Sequence, residues 1–312
     1  MYYYELYGLT VQSNFEFIQL VPIPEDTAKS DKIDIYIEMS DDQNLEKEFS
    51  ADISEGTISK STENGIWFRN QAGNFLIESK DGCSRMLCER FPGVDVSIVR
   101  SFLLGNSLAI LMTLRKRIVL HGSTLVMGEK TFMICGDSGA GKSTLSMAML
   151  NEGAKLMADD ISVLDISPEE GCCIAYPGFP EQKLCEDAAI NQGYELSELR
   201  FVNEDREKYS IDRSDIFLNE KRRIDAMFII HRASNTVSST GVDYHEVTGA
   251  EKINAITSRF FLETIYGSIL RLMPEDMMKC VALAGQISVV DITRAENMDT
   301  LDELKKVILT HI

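Results

Sequence analysis

Apolar positions form short strand-like runs as far as about Val96, and mixed strand and helix runs beyond it. Ile33, Ile35 and Ile37 alternate with Asp34, Tyr36 and Glu38, which predicts a half-buried strand. Residues 2–11 are rich in aromatics and predict another. Residues 65–69, 74–79 and 86–90 predict three more. Between them, Pro22-Ile23-Pro24-Glu25-Asp26 reads as a loop and residues 41–48 as an acidic connection. Phe91-Pro92-Gly93 closes this β-rich unit.

The pattern then changes. Ile98, Phe102, Ala109 and Met112 make the apolar face of a helix over 96–115. Residues 117–121 predict a strand that ends in His121, and 131–135 a short buried strand. Leu145, Ala148 and Met149 open a helix that Gly153 ends. Strands are predicted over 155–160, 161–165, 173–176, 224–231, 243–247 and 289–292. Helices are predicted over 186–192, 250–257 and 274–284, with Leu301, Leu304 and Ile308 as the core stripe of a last one. The interleaving predicts an α/β protein: a small β-rich N-terminal domain over 1–96 and an α/β domain over 97–312.

The one strong motif sits where a predicted strand meets a predicted helix. Gly136-Asp137-Ser138-Gly139-Ala140-Gly141-Lys142-Ser143 fits the phosphate-cradling P-loop, with Thr144 following it. Glycines let backbone N–H groups approach phosphate oxygens, and the helix start adds its dipole. Lys142 then reaches the β- and γ-phosphates, and the Ser143 hydroxyl ligates Mg²⁺. Residues 136–144 are the expected nucleotide-binding set.

Shortly after, the strand over 155–160 ends in Asp159-Asp160. Carboxylates beside a P-loop are candidates for Mg²⁺ ligation and for accepting a hydroxyl proton. Adjacent side chains on an extended strand point to opposite faces, so one of the two is expected to face the phosphates.

This combination resembles the HPr kinase/phosphorylase family. A strand carrying a His (His121), a G-x-S-G-x-G-K-S loop (136–143), a helix, and an Ala-Asp-Asp strand end (Ala158-Asp159-Asp160) follow in the same order. The resemblance runs over about 103–176. It implies a P-loop domain related to phosphoenolpyruvate carboxykinase and transfer of the γ-phosphoryl of ATP to a protein serine, with Mg²⁺. It also implies that one acid is the base and the other holds the metal. Asp160 is assigned as base and Asp159, with Ser143, to the metal; the swapped assignment stays open. His121 is placed near the phosphates on the same ground. The family commonly forms hexamers, so a homo-oligomer is an expectation here.

The chain also departs from that family. Thr144 stands where the bifunctional enzymes carry Glu, and their Leu-Asn-x-x-Pro and Gly-Arg-Asn signature is missing. In its place runs Ala175-Tyr176-Pro177-Gly178-Phe179-Pro180-Glu181-Gln182-Lys183-Leu184. This is similar to the diverged kinases of lasso-peptide biosynthesis, which phosphorylate the C-terminal serine of a precursor peptide. The expected partner is therefore a peptide or small protein bearing a serine. HPr itself and the reverse phosphorylase reaction are the alternative, and a nucleotide-gated peptide carrier without transfer activity is another. Lys208, with Arg213 second, is the expected cation at the transferring phosphoryl group, taken from the charged stretch 200–223.

Composition narrows the classes. A net charge of −18 over 312 residues argues against a nucleic-acid backbone binder. The start, Met1-Tyr2-Tyr3-Tyr4-Glu5, lacks the features of a secretory leader. The apolar region over 101–114 is broken by Gly105-Asn106-Ser107 and reads as too short to cross a bilayer. Seven cysteines without paired spacing point to a reducing compartment, hence the cytoplasm, and read as ordinary thiols rather than a metal site.

Overall fold

The structure is a computed structural model. It describes all residues except 31, 192, 204–206, 235–237 and 262–272. The α/β expectation holds.

The N-terminal unit is an eight-stranded mixed sheet, in the spatial order Val21–Pro22, Tyr2–Leu6, Leu9–Ser13, Ile35–Ser40, Cys83–Arg90, Gly73–Lys80, Gly65–Asn70 and Ser59–Ser61. Alternation set the register: Ile35 and Ile37 are buried while Asp34, Tyr36 and Glu38 are half-buried. Two expectations are corrected. Residues 2–11 do not make one strand, because Tyr7 (φ 52°) and Gly8 (φ 68°) turn the chain into a hairpin. The acidic connection contains two short helices, Asn44–Glu48 and Ser50–Ser54. The Glu89 carboxylate accepts from the Leu45 and Glu46 N–H groups at the start of the first (2.7 and 3.2 Å). Phe49, just after it, stacks on Trp67 at 4.5 Å.

Residues Val96–Leu114 form a 19-residue helical segment, started by Asp95 accepting from Ser97 N–H. It is interrupted by a π-turn at Leu103–Ser107, where Gly105 leaves helical geometry. At this length it is long and apolar enough to cross a bilayer, contrary to the expectation from 101–114. Here, however, Val99, Leu103, Leu108 and Ile110 are buried in a core shared with Ile35 and Phe75 of the first sheet and Val119 and Ile161 of the second. Its apolar surface is used inside the protein.

The second sheet runs Arg222–Arg223, Cys173–Tyr176, Ile161–Ile166, Ile118–Met127, Lys130–Gly136, Ala226–Ala233, Ser288–Ala295 and Val242–Glu246, with Lys155–Ala158 also paired to Ile118–Met127. The strands Lys130–Gly136, Ala226–Ala233 and Ser288–Ala295 are parallel. Side chains on these strands alternate between two cores. Ile134 and Phe228 meet helices Lys142–Asn151 and Leu301–His311 on one face. Met133 and Ile229 meet Gly249–Thr257 and Pro274–Ala284 on the other. A helical layer thus covers each side of the sheet, and the P-loop leaves it at the carboxyl end of a central strand.

Part of the charged stretch 200–223 is strand. Glu207–Asp212 pairs with Glu181–Cys185 on one side and Arg200–Asn203 on the other, as a separate three-stranded sheet. Leu184 and Ile211 bury one side of it against Met147 of the P-loop helix.

Candidate active site

The P-loop has the geometry its glycines require. A Cβ at Gly136 would lie 2.2 Å from the Ile230 carbonyl oxygen, and φ is +146°. Gly141, at φ +99°, is the left-handed residue that opens helix Lys142–Asn151. Lys142 Nζ donates to the carbonyls of Gly136 (2.9 Å) and Asp137 (3.1 Å), so the ammonium lies across the loop. Burial lowers its pKa, aided by the Lys208 and Arg259 charges and opposed by Cys135 and Asp160. Asp137, Ser138 and Gly139 are exposed, Ala140 is buried, and Ser143 and Thr144 are half-buried in the first helical turn.

The loop is braced by residues that no motif marks, on strands Ala226–Ala233 and Ser288–Ala295 and in the turn after helix Gly249–Thr257. Asp137 accepts from Arg259 at 2.9 Å and meets His231 Nδ1 at 2.8 Å. The other ring nitrogen of His231 meets Asp291 at 3.1 Å. Arg294 donates to the Ala140 carbonyl at 2.7 Å. Burial works against the charged form of Asp137, but Arg259 and His231 outweigh it and lower its pKa. Removing Arg259 costs the loop a charge-assisted bond of about 1.5–3 kcal/mol. Arg259→Ala is accordingly expected to weaken binding of an ATP analogue roughly tenfold by calorimetry. An unchanged affinity would mean that the loop holds its shape without the brace.

The strand expected over 155–160 ends at Ala158, and the two acids sit in the bend between Lys155–Ala158 and Ile161–Ile166. Asp160 has φ +69°, so the pair is not extended and the expectation of opposite faces does not apply. Both carboxylates meet Lys183. Its backbone N–H donates to Asp159 Oδ2 at 2.9 Å and its Nζ to Asp160 Oδ2 at 3.2 Å. Ser123 Oγ donates to Asp159 Oδ1 at 2.6 Å. Asp160 Oδ1 faces His121 Nδ1 at 3.6 Å and Lys208 Nζ at 3.8 Å.

The electrostatics separate the two acids. Burial disfavours the charge on both. At Asp160, Lys183, Lys208 and His121 overcome it and hold the carboxyl well below the usual range. At Asp159, burial wins over the Lys183 N–H and the Ser123 hydroxyl, and its pKa rises. Burial also lowers His121, with Lys142 and Lys208 adding to it and Asp160 opposing, so the imidazole is neutral at pH 7. His121 keeps 39% side-chain exposure against 15% for Asp160 and 8% for Lys183, so an incoming group approaches Asp160 from the His121 side.

One strand ties the halves together. Gly122 pairs with Cys135, just before the P-loop, and its N–H donates to the Asp160 carbonyl at 3.2 Å. His121, Asp160, Lys142 and Lys208 consequently act on each other's charge. Lys208 lies in this cluster, on a strand. Arg213 does not: it donates to Gln182 Oε1 (2.9 and 3.0 Å), whose side chain leaves the strand on the face opposite Lys183. Ser143, Asp159 and Asp160 offer only oxygen donors, the set Mg²⁺ takes together with phosphate oxygens. A cation would also offset the burial that pushes Asp159 up.

Lys183 is the residue that sequence reasoning missed, along with His231, Arg259, Asp291 and Arg294. The tip of the N-terminal hairpin also reaches this region. Tyr7 OH donates to the Ile161 carbonyl at 2.8 Å, and Tyr7 N–H to Pro177 O at 2.9 Å.

No protein-family model matches the chain, and no curated protein matches it. Among solved structures, the HPr(Ser) kinase/phosphatase from Coxiella burnetii is similar to it, with 15% identity and a TM-score of 0.32, over 62% of this chain and 89% of that one.

Proposed function

We propose that this chain is an ATP- and Mg²⁺-dependent kinase that phosphorylates a serine of a peptide or small protein. The observation that carries the reading is the Asp160 carboxylate, kept ionised by Lys183 and Lys208 beside a P-loop lysine. In this reading loop N–H groups and Lys142 hold the triphosphate. Ser143 and Asp159 would hold Mg²⁺, which neutralises phosphate charge. Asp160 orients the serine hydroxyl and takes its proton as the oxygen attacks the γ-phosphorus and ADP departs. Lys208 faces the charge that develops on the transferring group. His121, neutral and the most open member, lines the approach. Phosphoryl transfer asks little covalent chemistry of the protein, so positioning and electrostatics are the contribution expected of these side chains.

The acceptor we favour is the C-terminal serine of a lasso-peptide precursor, on the resemblance of the stretch that replaces the phosphorylase signature. A cytoplasmic setting supplies ATP and suits seven cysteines that are all free thiols. The test is mass spectrometry of a precursor peptide ending in serine, incubated with the protein, ATP and Mg²⁺, with Lys142→Ala alongside. A phosphate mass gain at that serine, absent with Lys142→Ala, is the expected result. Transfer to HPr instead would make the chain the metabolic regulator. Tight ATP binding with transfer to neither would make it a nucleotide-gated carrier.

A further inference from the structure

The three-stranded sheet does more than hold Lys183. Its register sets Cys185 opposite Lys208, Lys183 opposite Ser210, Glu181 opposite Asp212, and Arg200 opposite Ser210. Directly opposed side chains share a face. Lys183 and Lys208, which grip Asp160, therefore lie on the same face as Glu181, Arg200 and Ser210. Two residues from Lys183, about 7 Å along the strand, that face becomes the wall of a cavity of about 680 Å³. A crevice of about 20 Å³ beside Lys183, room for little more than a water, shares Gln19, Glu181 and Arg200 with the cavity. The opposite wall belongs to the N-terminal unit, at Ile18, Leu20 and Val21.

The chemistry of this cleft is apolar with an acidic rim. Ile18 stands 62% exposed at the mouth, on the wall facing the strand Glu207–Asp212. Glu181 is buried and paired with Arg200, so the Arg200 charge is already answered. Asp212 is exposed at the edge. Beyond Ile18, Leu20 and Pro22 an adjoining hollow of about 520 Å³ carries Glu16 and Glu25, and no lysine or arginine among its described lining. The net charge of −18 adds a long-range attraction for cations. Gln19, on the wall shared by cavity and crevice, has a buried Oε1 with no protein partner, placed to accept a hydrogen bond.

We infer that this cleft docks the acceptor: an extended peptide segment with an apolar side chain against Ile18 and basic residues against Asp212 and Glu16. The inference rests on the kinase reading for the serine and on the cleft alone for the docking. It gives the N-terminal unit a task, since one wall of the cleft is built from it.

The test uses the full chain and two fluorescein-labelled peptides of equal length with a central serine, one alternating Lys and Leu, the other Glu and Leu. Fluorescence anisotropy reads their binding. The basic probe is expected to bind at least tenfold more tightly than the acidic one. Ile18→Arg and Asp212→Arg, both at exposed positions, are each expected to weaken it roughly tenfold through like-charge repulsion, with affinity for a fluorescent ATP analogue unchanged. Equal binding of the two probes, or indifference to both substitutions, would overturn the cleft. So would a dimer that Ile18→Arg converts to monomer in sedimentation, because the face would then be a contact between copies. Binding of the basic probe without phosphorylation keeps the cleft and removes the kinase; phosphorylation that ignores both substitutions does the reverse.

Discussion

Asp160→Asn is expected to lower phosphoryl transfer by roughly 10²–10⁴-fold, the range for a positioned general base, while leaving ATP binding in place. The amide can still accept from Lys183 but cannot take the serine proton. Asp160 lies beside Lys183, Lys208 and His121, which hold its carboxyl below the usual range. That makes it a permanent anion and also a weak base. A loose transition state tolerates this, because the hydroxyl oxygen needs little activation until the metaphosphate-like group has nearly departed. Most of the loss should therefore come from a misoriented hydroxyl. Single-turnover kinetics on an acceptor peptide, beside calorimetry with an ATP analogue, separate the two effects. Transfer within tenfold of wild type would remove Asp160 from the reaction and turn attention to Asp159, the assignment that sequence left open. A matched loss of ATP affinity would instead mean that the carboxylate serves the nucleotide.

The halves of this site differed in how visible they were along the chain. The P-loop announces itself because glycines at fixed spacing are needed for backbone approach and for positive φ, and both Gly136 and Gly141 meet that need. Strands such as Ile35–Ser40 are visible because one face is dry and the other wet. Glu181–Cys185 has neither signature. Glu181, Gln182 and Lys183 are all buried, so no alternation survives. Each is made tolerable by a partner distant in sequence: Arg200, Arg213 and Asp160. Local hydropathy reads such a segment as loop, since the compensation appears only after folding. The same holds for the pairing of His231 with Asp137, which depends on the parallel register of two strands. Tyr7 is hidden for another reason: an aromatic residue at positive φ gives no turn signal of its own.

Lys183→Met tests that hidden half directly. Lys183 is 8% exposed and Asp160 15%, so the substitution strands a carboxylate with little water to replace its partner. Breaking a buried pair from one side costs about 3–5 kcal/mol, and the expected drop in unfolding free energy at pH 7 is of that size, with Lys208 keeping it toward the lower end. The pH dependence identifies the cause. The folded pKa of Asp160 lies below its unfolded value, so its contribution is fully present above the ordinary aspartate value near 3.9 and is lost as pH falls through the folded one. Asp159 has the opposite sign: its raised pKa favours the folded state in acid and that contribution fades as pH rises through the folded value. The Asp159 contribution is largely common to wild type and variant, since its contact with Lys183 is through the backbone N–H, which methionine retains. The gap between the two proteins should therefore be widest at neutral pH and close as pH drops below about 4. Urea unfolding at several pH values measures it. A gap that stays constant with pH would assign the loss to packing of the lysine stem, and Lys183→Arg would then fail to restore what it should largely restore if charge is the cause.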